Sequence, residues 1–230
     1  ISEHSRHRDE TFFILLVTCL SAFLLTFSPS LAAAADSFEK WQAELRVEAL
    51  SKGISADVYD TAFAEVKPVE RVIELDRSQP EFTMTLETYL SKVVSKTRIK
   101  KAKQKLTEHK AILAEISEKF GVQPRFIVAL WGIETNFGQH TGGFSVIAAL
   151  ATLAYDGRRS SYFRGELLKA LQIIEEGHIS SKNMKGSWAG AMGQSQFMPS
   201  SFLSYAYDYN GDGKRDIWTT RKDVFASIAN

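Results

Sequence analysis

The stretch that most constrains this chain is Phe126-Ile-Val-Ala-Leu-Trp-Gly-Ile-Glu-Thr-Asn-Phe-Gly138, an apolar run that carries a single acid, Glu134. Pro124 suits the first turn of a helix and Gly138 suits its end. The run therefore predicts one short helix, apolar nearly all round and hence buried. Residues three, four and seven apart lie one above another, so Ile127, Leu130, Trp131 and Glu134 fall on one stripe and a carboxylate sits on an apolar face. A lone Glu in a helix usually caps a loop or pairs with an Arg. At the last turn of a buried helix, beside Trp131, desolvation would instead raise its pKa and leave it able to donate a proton near neutral pH.

The patterns around that helix are helical as well. From Asp36 onward Phe38, Trp41, Leu45 and Ala49 recur at helical spacing up to Gly53, and Ser55 opens a second helix through Val58, Ala62 and Val66. Val69 to Phe82 reads as an irregular link, and Thr83 to Lys105 as one long helix containing Tyr89. An amphipathic helix follows over Leu106 to Phe120, Ser145 to Tyr155 is apolar and Ala-rich, Asp156-Gly-Arg-Arg159 is a turn, and Tyr162 to Glu176 carries Phe163, Leu167, Leu171 and Ile174 on one side. No strand pattern interrupts them, so the expected class is all-α, with an N-terminal helical part over residues 36–105 and a second part over 106–230. Seven Lys or Arg lie between Lys92 and Lys105. They read as a solvated helix face, with attraction to an anionic polymer as the alternative. A formal net charge of +1 over 230 residues gives no general pull toward nucleic acid.

Residues 12–27 are apolar, follow Arg6 and Arg8, and precede Ser28-Pro-Ser-Leu-Ala-Ala-Ala-Ala35. That order is a secretory signal peptide over residues 1–35 rather than a membrane span, which needs ~20 apolar residues. Cys19, the only cysteine, would leave with it, so the mature chain is expected to have no thiol, no disulfide and no transmembrane span. The chain starts without Met and stops at Asn230 within a helix-like pattern, so both ends read as incomplete.

Two further stretches carry chemistry. Gly186-Ser-Trp-Ala-Gly-Ala-Met-Gly-Gln-Ser-Gln-Phe-Met-Pro199 is too rich in Gly and Ser for a packed helix. Its glycines let backbone approach a ligand, while Ser187, Gln194 and Gln196 offer hydrogen bonds. The plainer reading is a glycine-rich connection whose apolar residues plug the core. Ser195 lacks the second glycine of a nucleophile elbow and no His pairs with it, which argues against serine hydrolase chemistry. Asp208-Tyr-Asn-Gly-Asp-Gly-Lys-Arg-Asp216 has oxygen donors at its first, third, fifth and ninth places and Gly at the sixth, as an EF-hand calcium loop begins. Its twelfth place is Thr219, so Asp223 is the nearest acid to close a longer loop. Asp208, Asn210, Asp212, Lys214 and Asp223 are the candidate metal residues, for a calcium ion that braces the fold rather than performs catalysis. The alternative is an ordinary Asx-rich turn. Outside this loop, Asp156, Glu166, Glu175 and Glu176 read as surface. Glu134 is then a single acid without an evident partner, unlike glycosidases with two facing carboxylates.

Trp131-Gly-Ile-Glu-Thr-Asn-Phe-Gly138, Ala148-Ala-Leu-Ala-Thr-Leu153, Lys185-Gly-Ser-Trp-Ala-Gly-Ala-Met-Gly193, Gln196-Phe-Met-Pro-Ser-Ser201 and the Asp208 loop, in this order, resemble the membrane-bound lytic murein transglycosylase B family. The resemblance covers roughly Asp76 to Asn230. It implies a lysozyme-like helical core with an EF-hand-like calcium loop and no organic cofactor. It also implies an enzyme of the periplasm that cuts peptidoglycan between N-acetylmuramic acid and N-acetylglucosamine and leaves 1,6-anhydro ends. Glu134 stands where the family has its single catalytic acid. Ser187 would hydrogen-bond near it, and Gln196, Tyr89, Arg158 and Arg159 would line the groove for the glycan or its peptide. Peptidoglycan strands are the implied partner, with other cell-wall enzymes as further partners and no nucleic acid. The chain departs from the family in lacking a visible lipid-attachment signal, in the displaced Asp223, and in stopping before the family's domain is complete. The competing readings are a hydrolytic lysozyme or chitinase, and a non-catalytic glycan-binding module.

Overall fold

The structure, a computed structural model, describes the backbone of residues 31–78 and 84–230, with side chains from residue 37. The proposed leader over 1–35, with Cys19, lies outside the described side chains. None of the described helices is long and apolar enough to cross a membrane. Contacts divide the chain into a unit up to Glu39 and a main unit, Lys40–Asn230.

The helices are α1 (Leu31–Ser51), α2 (Ala56–Phe63), α3 (Glu70–Arg77), α4 (Leu86–Val93), α5 (Lys96–Glu108), α6 (Lys110–Phe120), α7 (Pro124–Thr135), α8 (Val146–Asp156), α9 (Ser160–Glu175), α10 (Pro199–Tyr205) and α11 (Arg221–Ala229). Local chemistry explains their starts. The hydroxyls of Ser55, Ser95 and Ser145 accept the N–H groups of Val58, Arg98 and Ala148, relieving donors that a first turn leaves unpaired. Pro124 occupies the first turn of α7, and Gly121 ends α6 in the left-handed region.

Three expectations are corrected. The irregular link expected over Val69 to Phe82 contains α3. The long helix expected from Thr83 to Lys105 is two helices, parted where Val94 leaves the helical region and Ser95 caps α5, and α5 continues to Glu108. β-Branched Val93 and Val94 followed by a capping serine favour that break over continuation. A two-residue antiparallel pair, β1 (Phe144–Ser145) with β2 (Lys185–Gly186), also interrupts the helical pattern and ties the glycine-rich loop to the start of α8.

Helix α8 is almost wholly buried and packs along α9, which in turn meets α10. The second packing centre surrounds Trp131, where Leu113 and Ile116 of α6, Ile127 and Val128 of α7, Phe137, and Val224, Phe225 and Ala226 of α11 meet. Trp131 meets Phe137 and Phe225 edge to face, with ring centroids 5.4 and 5.0 Å apart. Such pairs add about 0.5–1.5 kcal/mol each beyond area burial, so this cluster fixes α7 firmly. Two acids read as surface have structural work. Glu166 is buried, and its Oε2 accepts the N–H of Ser200 in the first turn of α10 at 2.8 Å. Glu175 accepts the N–H and hydroxyl of Ser55, both at 2.8 Å, joining the end of α9 to the start of α2.

Candidate active site

Helix α7 is buried on one side only. Ile127, Val128, Trp131, Gly132 and Thr135 face the core, whereas Phe126, Leu130 and Ile133 are 52%, 47% and 46% exposed. Glu134 is exposed as well. The expectation of a helix buried all round, with Leu130 and Glu134 on its core stripe, is therefore corrected. The buried arc centres on Trp131 and Thr135; Glu134 stands at its edge and the outer arc is a bare apolar surface. Apolar residues all round mark a buried helix only when every neighbour is protein, and hydropathy cannot separate a core face from the floor of a cleft. The carboxyl of Glu134 is still crowded enough that partial desolvation raises its pKa above the ordinary carboxylate value. Among the described residues it has no hydrogen-bond or ion-pair partner.

The chain leaves α7 abruptly after Glu134. Asn136, Phe137 and Gly138 take left-handed φ values of 51°, 65° and 81°, and two of the three are not glycine. Bulky residues avoid that region, so the turn is held by its surroundings. Asn136 and Phe137 donate to Gly132 O and Trp131 O at 3.1 and 3.2 Å. Lys101 of the basic helix α5 donates to Asn136 O and Gln139 Oε1 at 3.3 and 2.8 Å, and lies over the Phe137 ring. Part of the charge read as a solvated face thus caps this turn. Gly132 is required because a Cβ there would meet the Phe137 ring.

The glycine-rich loop packs against the same turn. The Ser187 hydroxyl accepts the N–H groups of Ala189 and Ala191 at 3.3 and 3.0 Å, bracing the loop from within. Gln196 has a left-handed φ of 50° and donates from its amide to Thr141 O and Gly193 O at 3.2 and 3.0 Å. Gln194, read as a ligand-facing donor, is instead buried. Its Oε1 accepts Trp131 Nε1 at 2.9 Å and also Arg221 Nη1, while its Nε2 donates to Trp218 O at 2.7 Å. The sequence gives no sign of this network, whose members Trp131 and Gln194 lie 63 positions apart.

The other singled-out residues are distributed as follows. Arg158 and Arg159 both pair with the buried carboxylate of Asp76, at 3.0 and 2.5 Å, which fixes their inner edges and leaves the outer ones in solvent. Asp156 pairs with Arg77 at 3.0 Å. Tyr89 lies 40% exposed on α4, a helix with no buried residue. In the Asp208 loop, Asp208 Oδ1 accepts Gly211 N–H at 2.7 Å and Oδ2 accepts Gly213 N–H at 2.8 Å, which folds the loop tightly about its first acid. Asn210, Asp212 and Lys214 follow along the same exposed curve, with Lys214 N–H donating to Asp212 at 2.9 Å. Asp223 is fully buried, and its two oxygens accept the N–H groups of Tyr209 and Asp216, both at 3.0 Å. Among the described residues no three His, Cys, Asp or Glu side chains converge as a metal-ligand group.

The transglycosylase SLT domain family matches residues 37–230. Membrane-bound lytic murein transglycosylase B of Escherichia coli (strain K12) is 44% identical over 112 residues, covering 48% of this chain and 31% of that protein. SltB3 of Pseudomonas aeruginosa has been solved with NAG-NAM-pentapeptide and with NAG-anhNAM-pentapeptide. It is similar at a TM-score of 0.81 and 46% identity, over 84% of this chain and 52% of that one. The Escherichia coli lytic transglycosylase Slt35, solved in complex with calcium, matches at 0.72 and 30% identity, over 82% of this chain and 61% of its own. The chain thus spans about a third to three fifths of the relatives it matches. Several long motifs in register and a helical fold shared with solved lytic transglycosylases agree with the match over nearly all of the described residues: the chain belongs to the transglycosylase SLT domain family.

Proposed function

We propose that this chain carries the glycan-cleaving core of a lytic transglycosylase, with Glu134 as its only proton shuttle. The observation that supports this most is the isolation of Glu134. Every other acid between Gly121 and Asn230 has a partner: Asp156 with Arg77, Glu166 with Ser200, Glu175 with Ser55, Glu176 with Arg215, and the four aspartates within the loop and its brace. Among the described acids between Gly121 and Asn230 Glu134 alone is unpartnered, and it has a raised pKa and borders exposed Leu130 and Ile133. An apolar surface beside a carboxyl whose desolvation favours its protonated form suits a sugar face and its glycosidic oxygen.

In the proposed reaction, Glu134 donates its proton to the glycosidic oxygen as the bond from the muramic C1 to that oxygen breaks. The C6 hydroxyl of the same ring then bonds to C1, and its proton passes to the Glu134 carboxylate, which restores the acid. The nucleophile is already on the substrate. Such positioning lowers a barrier by ~7–11 kcal/mol in well-oriented cases, so no base is needed to activate water. Ser187, Gln196, Tyr89, Arg158 and Arg159 are the proposed contacts to glycan or peptide, and Asp76 would hold the two arginines ready for an anionic group. Residues 1–35 would direct the chain to the periplasm, with residues 36–105 and 106–230 as its helical parts.

The Asp208 loop is the proposed calcium site. The loop's path fits: its first acid already gathers the N–H of the sixth-place glycine, and Asp208, Asn210, Asp212 and the Lys214 carbonyl supply hard oxygen donors. Asp223, whose oxygens hold Tyr209 and Asp216, would serve from behind by keeping the loop closed. The ion would supply rigidity and no chemistry at the sugar.

Digestion of purified sacculi in heavy-oxygen water tests the reaction type. Unlabelled 1,6-anhydromuramic ends are expected. Labelled reducing ends as the main product would make the chain a hydrolase.

A further inference from the structure

We infer that Gln194 is a positioning residue for Glu134, locking the last turn of α7 to the segment Ile217–Arg221. The inference rests on the proposed role of Glu134. Every polar group of Gln194 is engaged, and the partners lie on two sides. Toward α7, its Oε1 accepts Trp131 Nε1 at 2.9 Å and its backbone carbonyl accepts Thr135 Oγ1 at 3.0 Å. Toward the far segment, its N–H donates to Ile217 O at 2.8 Å and its Nε2 to Trp218 O at 2.7 Å, while Arg221 Nη1 donates to Oε1. Trp131 and Thr135 are the residues three before and one after Glu134, so the bonds bracket the acid within one helical turn. Thr135 Oγ1 passes the hold onward by accepting Gly138 N–H at 3.0 Å, and Arg221 stacks over the Trp131 ring at 4.3 Å. Because Gln194 is buried, a lost bond would leave its partners unsatisfied and not simply rehydrated.

The consequence is specific. A loosened turn lets Glu134 move outward into water, so it would be both misplaced and less desolvated. Gln194→Met keeps the shape and removes the side-chain donor and acceptor; Thr135→Val keeps the shape of its residue, removes the hydroxyl that reaches Gln194 O and leaves the side-chain bonds of Gln194, so it guards against loss of fold. In the full chain, each variant is expected to lower kcat 10- to 100-fold with KM changed less than twofold. The alkaline limb of the pH–kcat profile should move to lower pH. A carbon-detected NMR titration should show the Glu134 carboxyl falling back toward an ordinary carboxylate. Folded variants that keep the parent's kcat, pH profile and Glu134 titration, losing only melting temperature, would overturn the inference and leave Gln194 a core residue. The NMR arm separates the two readings. If the parent cleaves no murein, the proposed activity fails, while the Glu134 titration still decides whether Gln194 sets the acid's surroundings.

Discussion

Glu134 combines two properties that usually exclude each other, an exposed side chain and a carboxyl whose pKa lies above its ordinary value. The exposure gives a substrate access, and the atoms crowded on its inner side keep part of its hydration away. Glu134→Gln preserves shape and removes the proton, so turnover should fall by ~10²–10⁴-fold or more, with glycan binding retained. Substantial activity in the purified variant would remove Glu134 from the mechanism. The same substitution should change stability in a defined direction. A folded-state pKa above the unfolded value means that the native state holds its proton more tightly, so ionisation costs the native state stability. That cost is absent below the unfolded pKa, ~4.3, and is complete once pH has passed the raised folded value. The Gln variant should therefore melt slightly higher than the parent at neutral pH, and equal to it in acid. Paired thermal scans at both pH values check this.

The turn after Glu134 shows what an element needs beyond its pattern. Gly138 has φ 81°, and a Cβ built there would collide with the Gln194 side-chain amide; Gly121 has φ 73° and nothing near it. Both positions penalise alanine through backbone strain of ~1–2 kcal/mol, but only Gly138→Ala must also displace a buried hydrogen-bonded amide, for a total of ~2–4 kcal/mol. Denaturant melts of the two variants should separate them, and only Gly138→Ala should reduce activity. An equal loss at both sites would mean that the close approach to Gln194 has no energetic weight. This contrast also explains what was legible in the sequence. The starts of α2, α7 and α8 and the ends of α6 and α7 follow from Ser55, Pro124, Ser145, Gly121 and the Asn136–Gly138 turn, because caps and turns are local. The break before α5 carried a local signal too, Val-Val-Ser95, which the reading of Thr83 to Lys105 as one helix passed over. Exposure of Leu130 and Ile133 was not legible, since an exposed apolar face and a core face have the same composition. Nor were burial of Glu166 or the Gln194 network, because their partners lie 34 and 63 positions away and only the tertiary fold brings them together.

Within Lys40–Asn230 the Asp208 loop connects more of the molecule than its exposed position suggests. Arg215 donates to Glu176 at 2.5 Å and to Leu203 O at 3.3 Å, tying the loop to the end of α9 and to α10. Asp223 holds it to α11, and Trp218 O, two residues past Asp216, receives Gln194. Burial pushes the Asp216 carboxyl up, but hydrogen bonds from Thr219, Thr220 and Trp218 outweigh it and hold the pKa below its ordinary value. That depressed value contributes stability to the folded loop that is present above the unfolded pKa and lost as pH falls through the folded one. An ion that bound only the folded loop would stabilise the whole cooperative unit by mass action, by ~2.7 kcal/mol at a hundred times its dissociation constant. Calcium should act so, and magnesium much less, because a flexible set of carboxylate, amide and carbonyl oxygens suits the larger ion and does not impose the octahedral geometry the smaller one demands. Thermal melts with added calcium should thus rise with log concentration, and Asp208→Ala should abolish that dependence, since it removes both a proposed ligand and the acceptor for the Gly211 and Gly213 N–H groups. A calorimetric titration of the parent distinguishes binding from a general salt effect. No heat of calcium binding, together with melts that respond equally to calcium and magnesium, would reduce the loop to a hydrogen-bonded turn held by its own side chains, Asp208, Arg215, Asp216 and Asp223 among them.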